Sequence, residues 1–469
     1  MSYHSYSMAS LLQIGSPLIY SSALVKTIPR SKSFTCTTVA KTTPGDEYPV
    51  VPRRSANYQP SLWDKYHLLP VENKYAKDKS VRGERDLLKE EVRMMLNDGK
   101  TSYLDQLELI DDLQKLGVSY HFEREIKNIL TVYYQEDRRI MRQCDIEKDL
   151  HATALEFRLF RQRGFNVSED VLDIFMENHE KFESDDLLQN NNSETLLLIL
   201  IVMQILGLVT YERWWSKRPN KNLVLVEFAK IDFNIVQAIH QEELKYVSSW
   251  WRETGLGHQL HFARDRIVEN YFWTIGQIQE PQFGNVRRTM TKVNALLTTI
   301  DDIYDIYGTL EELQLFTVAF ENWDVNRLDD LPEYMRLCFL VVYNEVNTIG
   351  CDILRNKNIN VIPFLRKADE LERGDVSKSI QCYMNETGAS GEQARVHVRQ
   401  MINDMWDEMN YEKMGHSASL LPEDFMETVI NLARMSQCMY QYGDGHGSPE
   451  KAKIVDHVMS LLFDPIPLD

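Results

Sequence analysis

Apolar residues recur along this chain at helical spacing. Leu104, Leu107, Ile110, Leu113 and Leu116 follow one another at three-residue steps, and Gly117 comes directly after them, which predicts an amphipathic helix with a glycine stop. An apolar run over 293–300 predicts a second helix leading into an acidic cluster at 301–305. Alternating β-branched runs between turn dipeptides are nearly absent, and no internal repeat of about 20 to 50 residues is found, so the predicted fold class is all-α. One segment breaks the pattern. Over 184–220 an asparagine-rich stretch (Asn190, Asn191, Asn192) runs into an apolar block and then Trp214, Trp215 and Lys217 without a clean period. A domain boundary is expected there, dividing a helical domain over 46–220 from a second over 221–469. The longest apolar stretch, 196–209, is interrupted by Gln204 and Gly207 and falls short of the ~20 residues that span a bilayer, so no membrane span is expected.

Composition narrows the function. The 469 residues are 43% apolar and 26% charged, enough for two packed domains. With 52 basic against 70 acidic side chains the net charge is -18, which opposes a nucleic-acid partner and requires metal or arginine wherever an anionic small molecule binds. The six cysteines are scattered without a CxxC pair, which fits a reducing compartment better than a zinc site or a disulfide framework. Residues 1–45 contain no Asp or Glu, four Lys/Arg and many Ser/Thr, the composition of an organellar transit peptide; its removal takes the charge from -18 to -22.

The sharpest candidate for chemistry is Asp301-Asp302-Ile303-Tyr304-Asp305. On an α-helix Asp301 and Asp305 lie ~40° apart, so their carboxylates share one face. A hard divalent cation relieves the repulsion between them, and Mg²⁺ is typically held by one or two carboxylates with phosphate oxygens and water; a solvated acidic face is the other reading. Upstream, Arg264-Asp265-Arg266 places two guanidinium forks on one side if the backbone is extended, a geometry that suits phosphate oxygens, although an ordinary surface charge pair has the same sequence. Tyr271, Phe272 and Trp273 follow, aromatic faces that either pack a core or stabilise a cation. Arg53 and Arg54 precede Trp63 by eight intervening residues, and Tyr440, Gly443, Asp444, Gly445 and His446 form a glycine-rich turn with too few features for a nucleotide loop. His240 in Ile239-His240-Gln241-Glu242 lacks the HExxH spacing and is read as a surface residue.

In this order the motifs resemble those of the plant terpene synthases, and the plastid monoterpene group in particular, over 53–176, 223–368 and 369–469. Arg53-Arg54-x8-Trp63, Arg264-Asp265-Arg266, Asp301-Asp302-x-x-Asp305, Arg373-Gly374-Asp375-Val376 and Gly443-Asp444-Gly445-His446 carry the resemblance. It implies a C-terminal class I helical domain whose cavity holds three Mg²⁺, with Mn²⁺ as a substitute, and a prenyl diphosphate, geranyl diphosphate in a plastid. Asp301 and Asp305 would bind metal, with Asp302 in support. Arg264 and Arg266 would hold the leaving diphosphate, Trp273 would line the path of the carbocation, and Tyr440 and His446 are candidates for the last proton transfer. Arg53 and Arg54 would fold over the closed site, a feature tied in the family to isomerisation and cyclisation. Acyclic or cyclic monoterpenes of the linalool, myrcene, ocimene, limonene or terpineol type are the implied products, from a monomer.

Two departures qualify this. The family's second metal motif, an Asn or Asp followed four residues later by Ser/Thr and four after that by Glu, is not intact. Phe364-Leu365-Arg366-Lys367-Ala368 resembles the start of one family segment and Asp369-Glu370 the end of another much further on, leaving Glu370 as the motif's surviving ligand. The 184–220 segment also departs, and together these leave the chain on the order of a hundred residues short. Competing readings are an impaired or inactive product of an altered transcript, a sesquiterpene synthase acting on farnesyl diphosphate, and a chain-elongating prenyltransferase, which would need a second DDxxD that the sequence lacks.

Overall fold

The computed structural model describes residues 53–63, 75, 78–140, 150–165, 167–168, 171, 222–362, 379–414, 423–440, 443–449 and 453–468. The transit segment, the 184–220 irregularity, the 196–209 stretch, Glu370 and the Arg373–Val376 motif lie outside them. Every regular element among the described residues is helical. The chain is all-α, as the pattern of apolar positions predicts.

The first core is built by α1 (Lys79–Leu96), α2 (Tyr103–Lys115), α3 (Glu123–Ile140) and α4 (Leu150–Gln162). In α2 the predicted stripe is buried as Leu107, Ile110, Leu113 and Leu116, with Leu104 packed at its edge. Ser102 caps its start by accepting from the Asp105 amide at 3.2 Å. Gly117 follows its last turn at φ 74°, in the left-handed region that favours glycine.

The 32-residue α5 (Leu223–Thr254) links the two cores. Leu225, Phe228 and Ala229 belong to the first, while Leu244, Val247 and Trp251 belong to the second. Packed on several sides, it buries polar residues as well. His240 is only 3% exposed, so its reading as a surface residue is overturned: the helix carrying it packs against α1, α7 (Ile267–Gln277), α8 (Gly284–Asp302) and α14 (Ile454–Leu462) and leaves little solvated face. Burial, with the Arg287 charge nearby, holds that imidazole well below its usual pKa. Its other polar side chains tie down the end of the chain. Asn234 donates to the Ile466 carbonyl and accepts from the Ile466 amide, both at 2.8 Å, and Gln237 and Gln241 donate to the Leu461 and Leu462 carbonyls.

The second core gathers α7, α8, α9 (Leu310–Asn322), α10 (Glu333–Lys357), α13 (Glu423–Tyr440) and α14, together with Trp63 from the amino-terminal segment. Short α6 (Leu256–Gln259) leads into α7, and α11 (Ser379–Thr387) pairs with α12 (Gly391–Met414). Among the described residues only α10 is long and apolar enough to cross a membrane. It buries Met335, Cys338, Phe339 and Val342 in the core, and its Glu345 pairs with Lys292 at 3.1 Å, as a core helix would. Between α7 and α8, the fully buried Arg287 grips both Glu243 oxygens at 2.8 Å and donates to the Ile278, Glu280 and Pro281 carbonyls, while Tyr271 donates to the same carboxylate at 2.9 Å. A buried pair satisfied this completely fixes the relative position of the two helices that carry the candidate site.

Candidate active site

The acidic motif lies where α8 changes winding. Thr298 and Thr299 return their hydroxyls to the carbonyls four residues back, and after Asp302 the chain widens into a π turn over Ile303–Tyr307, closed by the Gly308 amide to the Ile303 carbonyl at 2.8 Å. A π turn rotates less per residue than an α turn, so it brings Asp305 closer to directly beneath Asp301 than the sequence spacing predicts. The three carboxylates differ in environment. Asp305 is exposed, Asp301 is half-buried and Asp302 is 1% exposed.

Asp302 faces Arg264. The Arg264 backbone N–H donates to its Oδ2 at 2.7 Å and Nε to the same oxygen at 3.1 Å, while Nη2 lies 2.9 Å from its Oδ1 and donates to Asp301 Oδ2 at 2.8 Å. Burial lifts Asp302 above the usual carboxylate range despite this guanidinium. Burial works against the Arg264 charge, but the Asp302 and Asp301 carboxylates outweigh it and hold Arg264 more firmly protonated than usual. Arg264 and Arg266 do not present a common fork. Arg266, 1% exposed, donates to the carbonyls of His446 (2.9 Å), Asp265 (2.9 Å), Gln59 (3.0 Å) and Gly447 (3.3 Å). It ties two segments together across the site.

One of those segments is the strap over 53–63. Arg53 grips Glu312 with two bonds, 2.6 and 2.7 Å, donates to the Tyr307 carbonyl at 3.1 Å and lies over the Tyr307 and Tyr334 rings at 4.6 and 5.3 Å. The hydrogen bond from Arg53 depresses Glu312 to about 2. Arg54 beside it is exposed. Further along, the Tyr58 ring lies 5.2 Å from the Arg264 guanidinium, and desolvation together with the neighbouring Asp302 and Asp301 pushes its phenol up to about 12. Trp63 ends the strap, buried, its indole N–H donating to Glu269 Oε1 at 2.9 Å.

Glu269 Oε2 is buried and has no hydrogen-bond partner among the described residues, and burial raises the carboxyl to about 7 against the opposing effect of Trp63 and Arg266. From the ordinary value of 4.5 up to about 7 the folded chain therefore binds more protons at Glu269 than the unfolded chain, so stability falls as pH rises through that window. Glu269→Gln keeps an acceptor for Trp63 and removes the charge. It is expected to raise the denaturation midpoint at pH 8, by up to about 3 kcal/mol in stability, and to leave it little changed below pH 4.5, a contrast that paired melts at the two pH values check.

The other segment tied by Arg266 is the glycine-rich turn. Asp444 Oδ1 accepts from the His446 and Gly447 amides at 3.2 and 2.7 Å, and a Cβ on Gly445 would meet the Met439 carbonyl at 2.4 Å, so position 445 admits only glycine without rearrangement. The turn brings His446 against Trp273, ring centroids 6.0 Å apart, while Tyr440 meets the same indole at 6.1 Å; both contacts are edge-on. His446 Nε2 pairs with Asn270 Oδ1 at 3.1 Å. Tyr440 is 49% exposed, yet desolvation raises its phenol, with Asp444 and Asp301 adding to the rise and Arg264 opposing it.

The structure therefore assembles Asp301, Asp302 and Arg264 as one unit and Trp273, Tyr440 and His446 as another, and it directs Arg266 into the scaffold. Sequence reading missed Tyr58, Glu269, Glu312 and Tyr334. Only Glu312 carried a local signal: Thr309-x-x-Glu312 is a capping box, with Thr309 Oγ1 accepting from the Glu312 amide and Glu312 from the Thr309 amide at 3.4 and 3.1 Å.

No cluster of three or more metal-ligating side chains occurs among the described residues. Asp301 and Asp305, hard oxygen donors one turn apart at the surface of the motif, fit a divalent cation that takes its other ligands from phosphate and water.

Comparison with known proteins gives this geometry its family. The terpene synthase N-terminal domain matches residues 62–200, the terpene synthase family metal binding domain 252–368, and the terpene synthase family 2 C-terminal metal binding domain 368–408. Tricyclene synthase, chloroplastic, of Arabidopsis thaliana is 59% identical, with 98% of this chain and 100% of that protein covered. The 1,8-cineole synthase 1, chloroplastic, of the same plant is 47% identical over 98% and 99%. Among solved structures, limonene synthase with 2-fluorolinalyl diphosphate superposes with a TM-score of 0.76 at 32% identity, covering 89% of this chain and 100% of that one. Isoprene synthase from grey poplar, in complex with three Mg²⁺ ions and dimethylallyl-S-thiolodiphosphate, gives 0.68 at 30%, covering 83% and 98%. The alignment with tricyclene synthase runs over 596 positions, 127 more than the 469 residues of this chain, and the two metal-domain matches meet at residue 368, where the sequence departs from the family. The chain belongs to the plant terpene synthase family, in its plastid monoterpene synthase group.

Proposed function

We propose that this monoterpene synthase ionises geranyl diphosphate at the Asp301–Asp305 turn and releases an acyclic or cyclic monoterpene in the plastid. The observation that carries the reading is the shared Arg264 guanidinium, set against Asp301 and Asp302 under the strap. Asp301 and Asp305 would hold a divalent cation, Mg²⁺ or in its place Mn²⁺, and such a cation would supply neutralisation and polarisation of the leaving diphosphate. Asp302, turned inward, fixes Arg264, and Arg264 presents its charge to the diphosphate oxygens as they gain charge. Arg266 acts by holding Gln59 and the 446–447 carbonyls, so that strap and glycine turn cover the site together. Trp273 offers an aromatic face to the carbocation, and Tyr440 and His446 stand beside it as acceptors of its last proton. The domain limits at 45 and 220 belong to this proposal. So does import directed by residues 1–45, in keeping with the chloroplastic relatives.

Geranyl and farnesyl diphosphate supplied in competition, followed by analysis of volatiles, test the substrate. A ten-carbon product is expected; predominance of fifteen-carbon products would move the chain to the sesquiterpene synthases. The alignment positions without a residue from this chain, at least 127 of them, favour a second statement, that turnover is impaired, which is developed below.

Arg53 contacts the π turn and, on α9, the Glu312 carboxylate, and among the contacts of the described residues it has none with Asp301, Asp302 or Asp305. Replacing Arg53 and Arg54 together by alanine is therefore expected to shift the product ratio several-fold toward acyclic compounds while changing pyrophosphate release less than about tenfold. Gas chromatography with a pyrophosphate assay measures both; an unchanged ratio would remove the pair from the mechanism.

A further inference from the structure

The contacts of Arg264 divide into two sets. Its backbone N–H and Nε both hold Asp302 Oδ2, whereas Nη2 alone reaches Asp301, at 2.8 Å, and is shared with Asp302 Oδ1 at 2.9 Å. Arg264 can therefore release Asp301 and keep its anchor. Among the described residues Nη1 donates to no group. The guanidinium also carries the Tyr58 ring at 5.2 Å, brought by the strap.

We propose that Arg264 is the resident counter-cation of Asp301, steadied there by Tyr58, and that it yields this carboxylate to an incoming divalent cation before its charge becomes available to a diphosphate. This rests on the metal and diphosphate reading given above. A guanidinium on Asp301 competes with a metal for the same oxygen, and while paired it is a weak receptor for phosphate. Metal on Asp301 relieves both conditions, so each ligand favours the other. Tyr58 is a positioning residue in this scheme: its ring holds the guanidinium in the paired state and makes the exchange sensitive to whether the strap is in place.

Isothermal titration of the full chain with MgCl₂ alone, without substrate, tests the competition. Arg264→Gln is expected to bind Mg²⁺ at least about fivefold more tightly than the parent, because the competing charge is gone, and Arg264→Lys to stay near the parent. Tyr58→Leu, which frees the guanidinium, should also tighten Mg²⁺ binding, and Tyr58→Phe, which keeps the ring, should not. Equal or weaker Mg²⁺ binding in Arg264→Gln overturns the proposal; should that variant not fold, equal binding in Tyr58→Leu overturns it instead. Asp305→Asn separates the underlying reading. If that change leaves Mg²⁺ binding untouched, or if the parent binds none, the metal assignment fails and the proposal with it. If Asp305→Asn weakens binding and Arg264→Gln does not strengthen it, only the proposal fails.

Discussion

Asp305→Ala, and separately Asp301→Ala, should lower kcat/KM for geranyl diphosphate by at least about 10³-fold without unfolding the chain. Each removes one of the two carboxylates, half-buried Asp301 at the α8 terminus and exposed Asp305 in the π turn, and several kcal/mol of charge stabilisation in the departing diphosphate would depend on the cation they would hold. The two variants should differ in one respect. Asp305 is exposed and its loss should cost little stability, whereas Asp301→Ala leaves Arg264 with Asp302 alone in a partly buried site. Steady-state kinetics at saturating Mg²⁺ with parallel thermal melts check both points. Near-parental turnover in either variant would show that the motif is the solvated acidic face that its sequence also fits.

The other large effect concerns what the chain lacks. Returning the segment before Asp369, taken from a relative such as tricyclene synthase, is expected to raise turnover by more than about 10²-fold, most of all at limiting Mg²⁺. One acidic turn neutralises the diphosphate from one side only. The resemblance leaves just Glu370 of the opposing motif, and a cation with a single protein ligand is held weakly. The absent residues would also have walled the site, and water admitted there quenches carbocations and weakens each electrostatic contact. Assays of the two chains across a Mg²⁺ series decide the matter. Equal rates at low Mg²⁺ would mean that other residues complete the metal site and that the junction at 368 is benign.

How far the molecule was legible before its structure depended on the range of the interactions. The α2 stripe and its Gly117 stop were readable because periodicity and a left-handed terminus are local properties. The acidic motif was readable in kind, but the π turn that aligns Asp301 with Asp305 leaves no mark in the spacing of the residues. His240 was misread because a helix packed on several sides hides polar residues that an amphipathic surface helix would expose. The pairing of Arg264 with Arg266 implied two equivalent forks. The strap contacts were beyond reach, since Arg53 to Glu312 and Trp63 to Glu269 join residues 259 and 206 positions apart. Glu312 alone could have been found, through its capping box, though as the end of a helix and not as the partner of Arg53.

On the reading proposed above, this chain breaks the carbon–oxygen bond of geranyl diphosphate with a divalent cation at Asp301 and Asp305. The most direct test is to incubate the protein lacking residues 1–45 with geranyl diphosphate and quantify monoterpene and inorganic pyrophosphate together, with Mg²⁺ and with a chelator. Slow release of the two in equal amounts, entirely dependent on the cation, is expected. Release that persists in the chelator, or no release even with the missing segment restored, would contradict it.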